Sequence, residues 1–390
     1  MKLTIQFFTM REKQTIRVTL FLSFLVLVTK GKGIRKKYYG EDNTLVLPYQ
    51  QVYKTIQMKG GDVYDCIDVN AQPSLSDPRL KDHKIQMQPS SFPVGLDIDP
   101  LLSHSELQVQ PSTIDCPVGT VPILRNNRNF TMAAHNIEGV GSTDLQREAA
   151  GIQYHGDVYG ARASLNVYEP KVNKDSKDLS ATWLQIKNGG GEHRDGIGVG
   201  LEVNPSFSGD TFVRFHIGWA DGLYKKSCID HSCRGFVLVN HGWGLGTRLK
   251  LVSVYDGPQW ELKVNIFKDP ITKNWWVLCG KMNSPIGYWP SALFTFINHK
   301  GDYVFWGGFV QGPTVSSNAP QMGSGHFASE GFGKAAHIRN IQILNENNSY
   351  ITPEENFDYG TTNSTLYTVD KFHVDTAGMS IYYGGPGSAV

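Results

Sequence analysis

The sequence has no excess of charge of either sign. Its 37 lysine and arginine residues nearly balance 36 aspartate and glutamate residues over 390 positions. No strong field is available to attract nucleic acid or an anionic membrane, so neither partner is predicted. The motifs H-E-x-x-H, G-x-S-x-G and Walker A are also missing. Their absence excludes zinc proteases, α/β-hydrolases and nucleotide-dependent enzymes, and no cofactor is predicted.

Long apolar runs are scarce as well. The main one, LFLSFLVLV at residues 20–28, spans nine residues and follows three basic residues. It is too short to cross a bilayer but suits the core of a signal peptide. We assign residues 1–30 to a signal segment and expect a secreted, extracellular protein with no other membrane contact. Translation could start at Met1 or at Met10, and a retained anchor is the alternative, since no small-x-small cleavage site stands out.

Cysteine is also rare, with five residues in the chain. In a secreted protein such residues favour disulfides. Cys66 and Cys116 flank an N-terminal block with little aliphatic core, and Cys228 and Cys233 can close a small loop. Cys279, in WWVLCG, is left over and is most simply a buried free thiol.

A metal site and glycosylation are two further possibilities for these secreted segments. Cys228, His231 and Cys233 crowd three ligands into six residues without a second cluster, which is poor zinc spacing, and no metal is predicted. Three Asn-x-Ser/Thr triplets are candidate glycosylation sites. They begin at Asn129, Asn347 and Asn363.

Composition along the chain predicts a small α/β N-terminal domain and a larger β domain. The segment from 121 to 150 is polar, irregular and contains Arg125 and Arg128, which suits proteolytic cleavage. The predicted divisions are an N-terminal domain at 45–120, a linker at 121–150, a β-sandwich at 151–345 and a tail at 346–390.

Short alternating apolar runs follow one another from residue 159 onward, separated by Gly, Pro, Asn and Asp. This spacing predicts a mainly β protein with an antiparallel β-sandwich rather than βαβ units. The run DPITKN, at residues 269–274, is typical of a hairpin tip. The tail shows no strong periodicity.

The run DGIGVGLEVNP, at residues 195–205, places a single carboxylate among glycines. Strand alternation puts Gly198, Gly200 and Glu202 on one face and the aliphatic residues on the other. A bare strip beside an acid could be the floor of a cleft. Alternatively, it is a sheet face against which another element packs closely.

Other candidates have ordinary explanations. All eight tryptophans lie between Trp183 and Trp306, where they either fill a sandwich core or line a groove for prolyl peptide or sugar rings. Glu261 shares a strand face with Lys263 and Asn265, which favours a solvated face. Serines and histidines are scattered along the chain. A serine triad is therefore not excluded, but no motif spacing identifies its members.

Several ordered motifs resemble the plant neprosin family. The block GGDVYDCIDVNAQPSLSDPRLKDHKIQMQPS resembles its activation peptide, and FVRFHIGWADGLYKKSCIDHSCRGFV, IFKDPITKNWW, FWGG, QMGSGHF and EGFGKAAHIRNIQ resemble its catalytic domain. The resemblance implies a secreted zymogen with two stacked antiparallel sheets. It also implies a glutamic endopeptidase that cuts after proline at acid pH. A pair of glutamates would then activate water and polarise the peptide.

The sequence departs from this family at both catalytic positions. The family pattern Ile-Glu-x-Gly-Trp places its glutamate on Gly198, and Trp-Gly-Gly-Glu places the second on Phe309. Glu202 and Gln311 share the faces of these positions and form a conceivable relocated dyad. Loss of peptidase chemistry is the simpler interpretation. Whether the chain is an active enzyme or only binds a proline-containing peptide, a protein or a glycan stays open at this stage.

Overall fold

The computed structural model describes residues 52–96, 108–109, 114–125, 146–191, 193–370, 373–375 and 378–388. The predicted signal segment and the residues Arg128 and Asn129 lie outside the described residues.

Twenty strands dominate the described chain, together with one short helix and several 3₁₀ turns. In chain order the strands are β1 Val52–Gln57, β2 Val63–Asp68, β3 Thr120–Leu124, β4 Gln146–Val158, β5 Gly160–Asn166, β6 Leu179–Gly190, β7 His193–Val203, β8 Arg214–Asp221, β9 Lys226–Ile229, β10 Val237–Leu238, β11 Glu261–Lys268, β12 Trp275–Cys279, β13 Ser284–Trp289, β14 Gly301–Gly312, β15 Ala336–Leu344, β16 Tyr350–Ile351, β17 Phe357–Thr361, β18 Thr368–Val369, β19 His373–Asp375 and β20 Gly378–Gly384. The helix, α1, is Pro205–Ser208, and 3₁₀ turns are Val69–Ala71, Pro73–Ser76, Pro78–Leu80, Asp230–Ser232, Ser291–Leu293 and Ala328–Glu330.

The strands form three antiparallel sheets. A small N-terminal sheet has the order β1-β2-β3, and together with its 3₁₀ turns it makes up the small N-terminal domain. A ten-stranded sheet follows the path β10-β13-β12-β11-β5-β15-β20-β18, with β16 and β19 paired beside it. A seven-stranded sheet has the order β17-β4-β14-β6-β7-β8-β9. The predicted mainly β architecture with an antiparallel sandwich is confirmed.

One face of the seven-stranded sheet packs into the core of the sandwich, and the other points away from it. On β7 the aliphatic residues Ile197, Val199, Leu201 and Val203 are buried in the main hydrophobic cluster. Burying each such side chain contributes about 1.5–3 kcal/mol. Because side chains alternate, Gly198, Gly200 and Glu202 face away from this core. We call this side of the seven-stranded sheet the outer face.

The predicted hairpin tip lies between β11 and β12, as expected. Lys268 pairs with Trp275 across the hairpin, and the Asp269 carboxylate accepts the backbone N–H groups of Ile271 and Thr272. An aspartate at the start of the turn therefore organises it.

The C-terminal segment contains strands that its sequence pattern did not indicate. β17 pairs with β4 at the edge of the seven-stranded sheet, and β20 pairs with β15 in the ten-stranded sheet. The residues of β17 are exposed or half-buried. An edge strand with little buried surface does not need the apolar alternation on which the prediction relied.

In the part of the chain that the structure describes, the N-terminal domain and the sandwich belong to one compact unit. The Tyr64 hydroxyl lies 3.1 Å from that of Thr247, and the Gln72 side chain bonds both the N–H and the carbonyl of Leu238. Residues 121–124 of β3 and residues 146–150 of β4 fall within the range 121–150 that the sequence assigns to a linker. Among the described helices, none is long and apolar enough to cross a membrane.

Candidate functional site

The outer face brings the sequence-predicted positions onto neighbouring strands. Across β7, β6 and β14, Glu202 lies level with Ala181 and Phe309. Gly198 lies level with Gln185 on the next strand. Gly198 and Phe309 are therefore on the same face of one sheet, with β6 between them.

The glycine strip is covered by a tryptophan. A Cβ added to Gly198 would lie 2.2 Å from Nε1 of Trp183, and one added to Gly200 would lie 2.4 Å from Cε3 of the same ring. The Trp183 side chain, which is 2% exposed, therefore lies over both glycines. Of the two alternatives for this strip, the structure shows close packing of a neighbouring side chain. A glutamate at position 198 would collide with the indole ring in this arrangement.

The second family position carries an aromatic ring in a closed environment. Phe309 is 6% exposed and meets Trp183 edge to face, with the ring centroids 6.3 Å apart. The guanidinium of Arg147 lies 3.9 Å from the centre of the Phe309 ring. An aromatic cluster of Trp183 and Phe309 under Arg147 thus occupies the place where the resemblance puts the acid pair.

Glu202 and Gln311 are both buried but lie apart. They share the outer face, with β6 between their strands and an offset of two residues. Strand spacing and rise put their Cα atoms about 12 Å from each other. Glu202 stands opposite Arg214 on β8. The relocated dyad stays a prediction, and this geometry does not favour it.

A histidine that the sequence pattern did not single out lies beside Glu202. His216, on β8, is fully buried and its Nδ1 lies 2.6 Å from Oδ2 of Asp230. Burial would lower the pKa of His216, but the carboxylates of Asp230 and Glu202 outweigh it and raise the pKa above its ordinary value. Asp230 has a φ of +46°, an uncommon conformation for an aspartate that its contacts to β8 hold in place.

Arg214 joins this cluster to the N-terminal domain. Its guanidinium donates to both carboxylate oxygens of Asp62, each at 2.9 Å, and to Asp210 at 2.7 Å. The Arg214 side chain is 3% exposed. A buried arginine between two carboxylates is a strongly oriented, charge-assisted contact.

The sequence contained a signal for these two residues. In VRFHIGW, Arg214 and His216 alternate with apolar residues, so both point to the same face of a strand whose residues are all buried. Polar residues at alternating positions opposite a glutamate indicate a buried polar site.

The cysteines form the expected bonds. Cys66 is bonded to Cys116 within the N-terminal domain, and Cys228 to Cys233 after β8. Cys279 is a buried free thiol. Because Cys228 and Cys233 use their thiols in a disulfide, they are unavailable to a metal.

The two described sequons differ in exposure. Asn347 is exposed, while Asn363 is half-buried and its side chain accepts the N–H and the hydroxyl of Thr365. Their glycosylation stays a prediction.

Glu261 does not lie on a solvated face, and this expectation was wrong. It is 2% exposed, and its Oε1 contacts His337 Nε2 at 2.6 Å and Arg339 Nε at 2.8 Å. Burial would raise the pKa of Glu261, but these two partners hold it below its ordinary value. These groups come from β15, which lies on the far side of β5 from β11, and the sequence of β11 alone does not reveal them.

Comparison with known families and solved structures gives two family matches and several similar structures. The family model described as Neprosin matches residues 176–386, and the one described as Neprosin activation peptide matches residues 55–159. A crystal structure of scytalido-glutamic peptidase with a peptide-based transition state analogue is 8% identical, with a TM-score of 0.32, covering 61% of this chain and 98% of that chain. A second, with a transition state analogue inhibitor, is 9% identical, with a TM-score of 0.34, covering 61% and 99%.

Proposed function

Since this chain belongs to the neprosin family, a peptidase-type family whose model matches more than half of its residues, we propose that it is a secreted member that binds peptides without glutamate-dependent hydrolysis. The proposed ligand is a proline-containing peptide or protein segment. Residues 55–159 match the family's activation peptide.

The packing of Trp183 over Gly198 carries this proposal. Hydrolysis by a carboxylate pair needs one ionised and one protonated acid close to the same peptide bond. At one family position no side chain is present and the space above it holds an indole. At the other, Phe309 offers no proton and no charge.

Retained binding is supported by the aromatic character of the outer face. On β14, Tyr303, Phe305 and Phe309 lie on the same face, and Trp183 lies beside them on β6. Tyr303 is half-buried and the other three rings are buried. Flat rings of this kind pack well against prolyl and other apolar side chains. A glycan would use the same rings, so the binding test includes one.

Secretion is supported by the two disulfides. Disulfides persist in oxidising compartments and are rare in the cytosol. Together with the apolar run at residues 20–28, they suit passage through a secretory route. Mass measurement of the protein recovered from the medium of expressing cells would show whether it is exported and where it is cut.

Incubation of the acid-treated, full-length protein with a proline-containing peptide tests the catalytic half of the proposal. We expect mass spectrometry to show intact peptide. Cleavage after proline that disappears in Glu202→Gln, but persists in a control Glu346→Gln at an exposed site, would instead establish the relocated dyad and overturn the proposal.

Titration of the same peptide, with tryptophan emission as the readout, tests the binding half. We expect saturable binding that weakens at least fivefold in Phe309→Ala, as is usual for a central aromatic contact. An alanine-for-proline peptide and an oligosaccharide serve as comparison ligands. If neither peptide nor oligosaccharide binds, the chain has no ligand at this face; if only the oligosaccharide binds, the ligand class is wrong.

A further inference from the structure

A cavity lies where the N-terminal domain meets β8. Its volume is 230 Å³, and its wall includes Asp62 and Arg125 from the N-terminal side and Ser208, Arg214 and His216 from the sandwich. It is smaller than the pockets that usually hold drug-sized ligands, so a small group would fill it.

Two polar atoms on this wall lack partners. Within the described residues, neither His216 Nε2 nor Ser208 Oγ has a hydrogen-bond partner, although both atoms are buried. His216 is 1% exposed and Ser208 is 5% exposed. Buried polar groups are nearly always satisfied, so two such atoms lining one cavity indicate a site for a polar ligand.

The surroundings of His216 define what this ligand must offer. The Nδ1–H donates to Asp230 Oδ2, while Asp230 Oδ1 accepts the backbone N–H of Ile217 at 3.0 Å. The raised pKa of His216, in which burial is outweighed by Asp230 and then Glu202, favours the imidazolium. An imidazolium presents Nε2–H as a donor and cannot accept a proton from Ser208. The arrangement therefore suits binding of an acceptor rather than activation of a serine.

The charges on the wall favour an anionic acceptor. Arg125, Arg214 and protonated His216 line the cavity, against a single carboxylate, Asp62. The acids that balance these cations do not line it. They are Asp65 beside Arg125, Asp210 beside Arg214 and Asp230 beside His216.

One carboxylate is already bound at this wall. Both oxygens of Asp62 are held by Arg214 at 2.9 Å, in the two-pronged geometry that arginine uses for carboxylates. The local field thus stabilises a carboxylate at the edge of the cavity.

We propose that this cavity binds a small carboxylate, with His216 Nε2–H and the Ser208 hydroxyl as its donors. The carboxylate could belong to a free organic acid or to the C-terminal end of a peptide. The site is separate from the Trp183 and Phe309 cluster, so its test does not depend on the function proposed for that cluster.

Nuclear magnetic resonance of the full-length protein with ¹⁵N-labelled histidine provides the test. At pH 6, the probes are sodium acetate, the free acid of N-acetyl-Ala-Ala and its C-terminal amide, with sodium chloride at equal ionic strength as the reference. We expect acetate or the peptide acid, but not the amide or chloride, to shift the His216 Nε2 resonance with saturation. Equal affinity for acetate and peptide acid identifies free acids as the ligand class, and tighter binding of the peptide acid identifies peptide ends.

Two substitutions locate the site. Ser208→Ala should weaken binding about tenfold, the usual effect of losing one hydrogen bond to a charged group. Ser206→Ala, an exposed serine in the same short helix, should leave it unchanged. His216→Gln should abolish the binding, and if that variant does not fold, Ser208→Ala and the unsubstituted protein still decide. No shift with either acid, an equal shift with the amide or chloride, or full binding in Ser208→Ala would overturn the proposal.

Discussion

Asp62 and Arg214 form a two-pronged ion pair that ties the turn between β1 and β2 to the outer face of the sandwich. Both N···O contacts are 2.9 Å, and the arginine is 3% exposed. Arg214 stands opposite Glu202 on the adjacent strand. The N-terminal domain therefore supplies a carboxylate that neutralises the buried Arg214, next to the strand that carries Gly198 and Glu202.

Substitution of Asp62 by asparagine removes this neutralisation. We expect Asp62→Asn to lower the free energy of unfolding by about 1–3 kcal/mol, because Arg214 keeps Asp210 but loses a charged partner in a buried setting. Urea denaturation measures the change. Asp115→Asn is the control, since its pair with Lys54 is exposed and should contribute nothing measurable. Equal stability of Asp62→Asn and the unsubstituted protein would contradict the role given to this contact.

A methyl group at position 198 should already be unfavourable. Gly198→Ala forces Trp183 to move, and overpacking of this kind costs about 1–3 kcal/mol. Thermal or urea unfolding provides the measurement. Gly360→Ala is the matched control on the edge strand of the same sheet, where nothing lies within 4 Å of an added Cβ. In a Trp183→Ala background, the cost of Gly198→Ala should nearly vanish, and an unchanged cost there would show that the indole is not the obstacle.

Acid should loosen the segment that Asp269 holds. Burial would raise the pKa of Asp269, but hydrogen bonds from Ser90, Thr272 and Gln86 lower it to about 2. A depressed pKa contributes stability above the unfolded value near 3.8 that is lost as pH falls through 2. Hydrogen exchange at the Ser90 amide, which donates to Asp269, should therefore accelerate between about pH 4 and pH 2 relative to its intrinsic rate.

Asp269→Asn supplies the control for this effect. The amide cannot titrate, so the ratio of the Ser90 exchange rate to its intrinsic rate should not depend on pH over this window. A pH dependence that persists in the variant would assign the loosening to another group.

The stability contributed by His216 should depend on pH in the opposite sense to that contributed by Asp269: it should be lost as pH rises. Burial alone would lower the pKa of His216, and Arg214 has a smaller effect in the same direction. The carboxylates of Asp230 and Glu202 outweigh both and raise the pKa above 6.5. Stability from a raised pKa is complete below the unfolded value and is lost as pH rises through the folded one. The free energy of unfolding should thus decrease as pH rises above 6.5, and the slope should disappear in His216→Gln. A slope that remains would place the titration elsewhere.

The fold could be predicted because, in most strands, apolar residues that point into the core alternate with residues that point away from it. Alternation on β7 placed Ile197 and Val199 inside and Gly198 outside, as the structure shows. The rule fails for strands that bury little, such as β17, whose residues are exposed or half-buried. Such strands are held by backbone pairing to a neighbour, and single-strand patterns carry no record of that neighbour.

The sequence predicted where the candidate site lies on the sheet, but not which side chains pack against it. Motif order placed the missing acids at Gly198 and Phe309, but no pattern shows that Trp183, from the adjacent strand, folds over the glycines. In the same way, the burial of Glu261 depends on His337, 76 residues away. Cross-strand register decides both contacts, and it is set by the whole sheet.

The placement of the two disulfides has a consequence for a chain cut between β3 and β4. Cys66–Cys116 lies entirely before residues 126–145, and Cys228–Cys233 lies entirely after them. Such a nick leaves both sandwich sheets whole and no sulfur bridge across the divide. The severed N-terminal piece would then stay bound without a covalent link. It would dissociate on dilution, or when another carboxylate replaces Asp62 at Arg214, and disulfide reduction would not be needed.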